Sequence, residues 1–193
     1  HHALFLMSHH IYTTKGIVLS LRPQKEVDKL ALILTRDLGV IYGSVRGLRQ
    51  VNSKMRGVIS ELALIKVSLV KGKRSWRVTG ASLIESPSVT LRHEREMLKA
   101  LYRVGGFLSR LIRGEEKHVE IFDDFEEAMF GLVNGNVQRT DIEAWELLVV
   151  SKLLSHLGYL PKGDIPLDIN HAKTKKKELV AQINTGILES GLR

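Results

Sequence analysis

The chain has 193 residues, of which 44% are hydrophobic and 26% charged, and its formal net charge is +8. This composition is typical of a soluble globular protein with one large domain or two small ones, and it excludes a disordered polyelectrolyte. The absence of cysteine excludes a disulfide framework, a thiolate nucleophile and cysteine-ligated metal sites, and the wholly apolar runs are too short to span a bilayer.

Residues 1–10 are predicted to be a tag remnant followed by a disordered start. His1 and His2 precede Met7 across a short apolar stretch, as in the remains of an affinity tag, so Met7 is the expected native start. That stretch is too short for a signal peptide and has no cleavage site. With no secretory signal and no cysteine, we expect a cytoplasmic protein.

Residues 11–86 have the pattern of a small β-domain. Five segments are rich in apolar and β-branched residues, and short turns such as Asp37–Gly39 and Lys71–Lys73 separate them. The predicted strands are 13–21, 27–35, 40–45, a segment within 57–70, and 75–83. Five strands joined by short turns predict a closed β-barrel of the OB type.

From Pro87 onward the apolar period changes to three and four residues, which predicts α-helices. The expected helices cover 97–112, 115–133, 140–157 and 177–188. Thr140 and Glu143 have the spacing of a capping box, Gly158 has the position of a helix end, and Gly105-Gly106 suggests a close helix crossing. The chain is therefore predicted to be an α+β protein, with a barrel in 11–86 and a helical domain in 87–193.

The excess of positive over negative charge lies entirely in the predicted barrel. Residues 11–85 contain 14 Lys and Arg against 5 Asp and Glu, whereas residues 86–193 contain 15 against 16. The excess is densest between Arg46 and Arg77, where Glu61 is the only acid. A solvated face is the usual role of a short charge run, but cations at predicted turns without acidic partners favour an anion-binding surface.

The candidate DNA-binding residues come from this window. The cations predicted to bind DNA are Arg46, Arg49, Lys54, Arg56, Lys71, Lys73, Arg74 and Arg77. The basic loop after Gly43 also offers Asn52 and Ser53 as uncharged donors to phosphate. Trp76 lies between two of the arginines, and two roles are open for it: a platform on which a base stacks, or a core side chain inside the barrel.

No catalytic or metal constellation is recognisable, so we expect neither an enzyme nor a cofactor. The sequence has no G-x-S-x-G or H-E-x-x-H motif, and Gly72-Lys73 lacks the rest of a phosphate-binding loop. The histidines lack metal-ligand spacing. One carboxylate cluster is expected to face water on its helix rather than to bind metal or transfer protons: Asp123, Asp124, Glu126 and Glu127.

Two stretches resemble bacterial RecO recombination mediators. KGIVLSLRPQKEVDKLALILTRDLGVIYGSVRGLRQVNSKMRG (residues 15–57) resembles the start of that family, and LLSHLGYLP (153–161) resembles its L-L-x-x-L-G-Y-x-P segment. The resemblance implies an OB domain packed on an α-helical domain, in a non-catalytic, nucleoid-associated DNA repair protein. It also implies binding to single- and double-stranded DNA, annealing of complementary strands, and action with RecR to load RecA onto strands coated by single-strand-binding protein.

The chain departs from that family at one place. Many members insert a four-cysteine zinc module after the G-Y-x-P segment, and residues 162–167 stand there without cysteine. We therefore expect a RecO-like mediator without the zinc module. The alternative is a protein-interaction module in which the barrel docks an acidic partner and DNA contact is incidental; a small hydrolase would need a catalytic group that the sequence does not offer.

Overall fold

The computed structural model describes residues 10–24, 28–47, 55–73 and 75–191. This part of the chain begins with five strands: β1 (Ile11–Pro23), β2 (Lys29–Thr35), β3 (Gly39–Val45), β4 (Leu64–Lys71) and β5 (Trp76–Glu85). Six helices follow: α1 (Pro87–Thr90), α2 (Arg95–Leu111), α3 (Val119–Val133), α4 (Ile142–His156), α5 (Ile169–Thr174) and α6 (Lys176–Glu189). The predicted α+β order, strands and then helices, is confirmed. No helix of the described residues is long and apolar enough to cross a membrane.

The five strands form a closed barrel in the order β1-β2-β3-β5-β4. β1 pairs antiparallel with both β2 and β4, and its register with β2 shifts between Val18 and Ser20. A bulge of this kind bends a long strand, which lets β1 serve two neighbours in a small barrel. β3 and β5 are parallel and pair at Gly43 with Trp76 and at Ser44 with Arg77, which closes the ring.

The strands nearest the helices are buried on both faces. In β2, Ala31 and Ile33 belong to the cluster inside the barrel, whereas Leu32 and Leu34 belong to a second cluster shared with α2, α3 and α4. Because successive strand residues point to opposite faces, this alternation explains the nearly continuous apolar sequence of β2. The helices therefore cover one side of the barrel and leave the outer face of β4 and β5 open, where Lys66 is exposed.

Two glycines let the helical part approach the barrel closely. Gly39 has φ +72°, and a Cβ there would lie 2.3 Å from the carbonyl oxygen of Glu116. A Cβ on Gly105 of α2 would lie 3.0 Å from Leu62 Cδ2. The closest neighbour of Gly105 is thus the segment before β4 and not a crossing helix: Phe125 of α3 would lie 3.9 Å from that Cβ, and Gly106 has no neighbour within 4 Å.

The start of α4 differs from the prediction, whereas its end agrees. Arg139–Asp141 form a 3₁₀ turn, so the helix begins after Asp141 and the Thr140 capping box is wrong. The Thr140 hydroxyl instead donates to Asp141 Oδ1 at 3.1 Å. At the other end Gly158 has φ +81°, and its N–H donates to the carbonyl of Ser155, as in a Schellman motif.

Candidate nucleic-acid interface

Most of the predicted DNA-binding residues lie on the barrel surface. The structure describes Arg46, Arg56, Lys71, Lys73, Trp76 and Arg77, and all of these except Trp76 are exposed. Arg49, Lys54 and Arg74 lie outside the described residues.

Strand pairing places four of these cations on three neighbouring strands, with Arg46 beyond the C-terminal end of β3 and Lys71 and Lys73 at the N-terminal start of β5. Arg77 of β5 pairs with Ser44 of β3, and Arg46 lies two residues beyond Ser44. Lys71 ends β4, and Lys73 lies in the hairpin that leads to β5. We call Arg46, Lys71, Lys73 and Arg77 the barrel rim. Their separation in sequence disappears in the fold because β3 and β4 are the two neighbours of β5.

Arg56 lies at a second place on the barrel surface. It borders a cavity of about 560 Å³ together with Lys29 and Glu61. The Cα of Lys29 pairs with that of Val45, the residue before Arg46, so Lys29 links this cavity to the barrel rim. Sequence reasoning missed Lys29 because charge patterning alone does not give strand register; the β2–β3 hairpin, once its pairing is known, identifies it.

Trp76 is a core side chain, which corrects its proposed role as a stacking platform. It is 4% exposed and packs with Val78 in the cluster inside the barrel. The ring of Tyr12 meets it edge to face at a centroid distance of 5.2 Å, and Lys71 Nζ lies 5.2 Å from its centroid. A ring covered in this way cannot accept a base. The inward orientation follows from strand alternation, since Arg77 next to it points to solvent.

Glu115, just before α3, ties Trp76 to the barrel rim. Its carboxylate accepts hydrogen bonds from Lys71 Nζ at 2.7 Å and from Trp76 Nε1 at 2.9 Å. The hydrogen bond from Lys71 and then that from Trp76 lower the pKa of Glu115 below its ordinary value. Because Lys71 is engaged, Arg46, Lys73 and Arg77 are the rim cations without a carboxylate partner among the described residues.

The acidic cluster of α3, expected mostly to face water, is in part engaged by cations of the barrel. Asp123 accepts two hydrogen bonds from Arg36, at 2.7 and 2.9 Å, and Glu126 accepts one from Lys15 at 2.6 Å. The hydrogen bond from Arg36 lowers the pKa of Asp123. Helix periodicity correctly placed these acids away from the apolar face, but it could not show that the barrel reaches them. Glu127 is exposed, as expected.

The described residues contain no group of three or more histidine, aspartate or glutamate side chains arranged to hold a metal ion. What the arrangement offers chemically is a set of exposed cations on a closed β-barrel. Such a surface can bind phosphate groups, and it has no group placed for covalent chemistry among the residues considered above.

Comparisons with known proteins point to one family. Residues 7–87 match the family model described as Recombination protein O N terminal. The chain is 26% identical over 182 residues to DNA repair protein RecO of Dehalococcoides mccartyi, which covers 94% of this chain and 68% of that protein. It is 27% identical over 175 residues to DNA repair protein RecO of Chlorobium phaeobacteroides, covering 90% of this chain and 63% of the relative.

A third match extends the range of organisms. DNA repair protein RecO of Clostridium perfringens is 25% identical over 147 residues, which covers 75% of this chain and 57% of the relative. The chain therefore spans between 57% and 68% of the lengths of these three relatives.

Proposed function

The chain belongs to the RecO family, as its sequence motifs predicted, and on that premise we propose that it is a DNA repair and recombination mediator that binds DNA phosphates through the barrel rim. The observation that carries the proposal is the group of exposed rim cations, Arg46, Lys73 and Arg77, which have no carboxylate partner among the described residues. Side chains of this kind are available to an external anion.

The barrel architecture supports an OB-type interpretation. Five strands close in the order β1-β2-β3-β5-β4, and β5 crosses over to pair with β3 while its hairpin partner β4 returns to β1. Five-stranded Greek-key barrels of the OB type commonly bind oligonucleotides on their strand face and adjoining loops. The barrel rim occupies a strand end and a hairpin of this kind.

The proposed mechanism needs no covalent step. Cations that neutralise phosphates release condensed counterions, which favours binding at low salt and reduces the repulsion between two strands. Two complementary strands held on such a surface pair more readily than in free solution. We accordingly propose a non-enzymatic protein without cofactor or zinc module that binds single- and double-stranded DNA and anneals strands.

The proposed partners follow from family membership. In this proposal the protein acts in the cytoplasm with RecR to load RecA onto DNA coated by single-strand-binding protein. The nearly balanced charge of residues 86–193, compared with the barrel, supports a division of labour in which the barrel holds DNA and the helical part supports it.

Charge reversal on the barrel rim tests the proposal. The double variant Arg46→Glu/Arg77→Glu should weaken binding to a single-stranded oligonucleotide. The negative slope of log K against log salt should become shallower by about 1.4, since each lost phosphate contact removes about 0.7 from its magnitude. The matched control is Arg95→Glu/Lys162→Glu, which changes the net charge equally at exposed positions of the helical part. Anisotropy titrations at several salt concentrations measure both quantities.

Two outcomes would contradict the proposal. If rim and control variants lose affinity equally, binding depends on total charge and the barrel rim is not the site. If the wild-type chain does not bind the oligonucleotide at low salt, the alternative is favoured, a barrel that docks an acidic protein partner. An annealing assay with and without single-strand-binding protein then tests the mediator activity itself.

A further inference from the structure

We propose that the cleft between β3 and the C-terminal end of α2 receives one unpaired base and its adjacent phosphates from single-stranded DNA. Tyr42 supplies the stacking surface, and Arg110 and Arg113 supply the positive charge. This inference rests on the proposed function and deepens it by naming the form of DNA that the site selects. We call this place the seam cleft.

The seam cleft is a cavity of about 460 Å³, a size typical of sites for small organic groups. It lies where the barrel meets the helical part. Its barrel side includes Tyr42 and Trp76, and its helical side includes Ser109, Arg110 and Arg113. Aromatic, hydroxyl and guanidinium groups together are the chemistry that recognises a nucleotide rather than a purely apolar ligand.

Tyr42 is the exposed aromatic ring of this cavity. Its side chain is 55% exposed, although its neighbours Ile41 and Gly43 are buried. The central position in β3 fixes the backbone beneath the ring, so the ring is held outward with little freedom to collapse onto the core. Trp76, which the sequence suggested as the platform, instead forms part of the cleft wall.

The charge of the seam cleft is positive. Arg110 and Arg113 are exposed and have no carboxylate partner among the described residues. The acid in the cleft, Glu115, already accepts a hydrogen bond from Lys71 at 2.7 Å. The two arginines are therefore available to an incoming phosphate, and the neighbouring carboxylate is compensated.

The walls of the seam cleft are fixed before any ligand binds. The Val40 N–H of β3 donates to the carbonyl oxygen of Gly114 at 3.0 Å, directly beside Arg113. The contact of Gly39 with Glu116 holds the same segment against the barrel. A preformed site of this kind loses little ordering entropy on binding.

The position of the seam cleft selects single strands. Glu115 of the cleft accepts a hydrogen bond from Lys71 of the barrel rim at 2.7 Å, so a strand held by the rim passes close to the mouth of the cleft. An unpaired base is free to turn into the cavity, whereas a duplex base must first be unpaired and unstacked, which costs free energy. Duplex DNA should therefore use the rim without the cleft.

The test uses an oligothymidylate that carries one 2-aminopurine, whose emission falls when it stacks on an aromatic ring. Wild-type protein should quench this emission. Tyr42→Ala should abolish the quenching and weaken single-strand binding about tenfold, while leaving duplex binding unchanged, and Tyr42→Phe should behave as wild type. Arg113→Glu should weaken single-strand binding more than Arg95→Glu, which makes the same charge change at the opposite end of α2.

The outcomes separate the seam cleft from the proposed function. If Tyr42→Ala binds and quenches as wild type while the Arg46→Glu/Arg77→Glu variant is weakened, the seam cleft is wrong and the rim proposal stands. Equal weakening of single-strand and duplex binding by Tyr42→Ala would also overturn the inference. If wild type binds no DNA at low salt, the proposed function fails, and the inference fails with it.

Discussion

Glu115 controls the environment of two barrel side chains at once. The indole N–H of Trp76 is buried with its ring and depends on this carboxylate for its hydrogen bond at 2.9 Å. The same carboxylate holds the ammonium group of Lys71, which lies 5.2 Å from the indole centroid and so also gains a cation–π contact. One residue outside the barrel thus satisfies a buried donor and directs a rim cation.

Replacement of Glu115 should separate these two roles. Glu115→Ala leaves a buried indole donor without an acceptor and should lower the free energy of unfolding by about 1–3 kcal/mol. Glu115→Gln keeps an acceptor for the indole and loses only the charge paired with Lys71, an exposed pair that contributes about 0.2–1 kcal/mol. Urea unfolding at neutral pH measures both, and equal losses would show that the indole hydrogen bond contributes nothing.

The pH dependence gives an independent check on the charge of Glu115. The hydrogen bonds from Lys71 and Trp76 depress its pKa in the folded state, so its contribution is present above its ordinary pKa of 4.5 and is lost as pH falls through the lower folded value. The difference in unfolding free energy between wild type and Glu115→Gln should therefore shrink below about pH 4.5. A difference that grows on acidification would contradict the assignment.

Among the structural elements, the β2–β3 turn has the tightest requirement. Gly39 begins β3 with a left-handed backbone, and the chain before α3 passes directly over it. A side chain of any size would therefore meet backbone atoms, which cannot rotate away. The turn and the segment around Glu116 can pack in this way only because position 39 has no Cβ.

Alanine at two glycines should distinguish this contact from backbone strain. Gly39 and Gly114 both have positive φ, +72° and +87°, but only at Gly39 would a Cβ meet protein atoms within 4 Å. Gly114→Ala should cost about 1–2 kcal/mol of stability from the left-handed backbone alone. Gly39→Ala should cost about 1–3 kcal/mol more, since the backbone at Glu116 must shift. Urea unfolding of both variants measures the difference. Equal losses of unfolding free energy would show that the segment around Glu116 moves away from the new Cβ at no cost.

Local patterns in the sequence predicted the elements well, because strand alternation, helix period and the Gly158 stop are properties of neighbouring residues. They predicted the contents of the candidate site less completely. The capping box at Thr140 failed because a 3₁₀ turn ending at Asp141 competes for the same position. The Arg36–Asp123 pair joins residues 87 positions apart, and no local pattern encodes such a partner. For the same reason the sequence does not determine which way Trp76 points. The pairing of β5 with β3 determines it, because this pairing closes the barrel around the ring.

At the scale of the whole molecule, the barrel and the helices share one hydrophobic cluster. Ile17 and Leu64 of the barrel belong to the same buried group as Leu101 of α2 and Phe125 of α3. Ion pairs such as Lys15 with Glu126 lie at the edge of this shared core. The division into a barrel at 11–86 and a helical domain at 87–193 remains a prediction about sequence organisation; the packing favours a single folding unit.

Native-state hydrogen exchange tests whether that unit is cooperative. If the shared cluster couples both parts, amides in β2 and α3 should open with the same limiting free energy and the same dependence on denaturant. Ile17→Val, which removes one methyl group from the barrel side of the cluster, should lower that value by about 0.5–1.5 kcal/mol in both elements. Two independently stable parts would give two opening free energies, and Ile17→Val would then change β2 alone. Equal changes would mean that DNA held on the barrel stabilises α3 as well, because a ligand that binds only the folded unit raises every opening free energy within it.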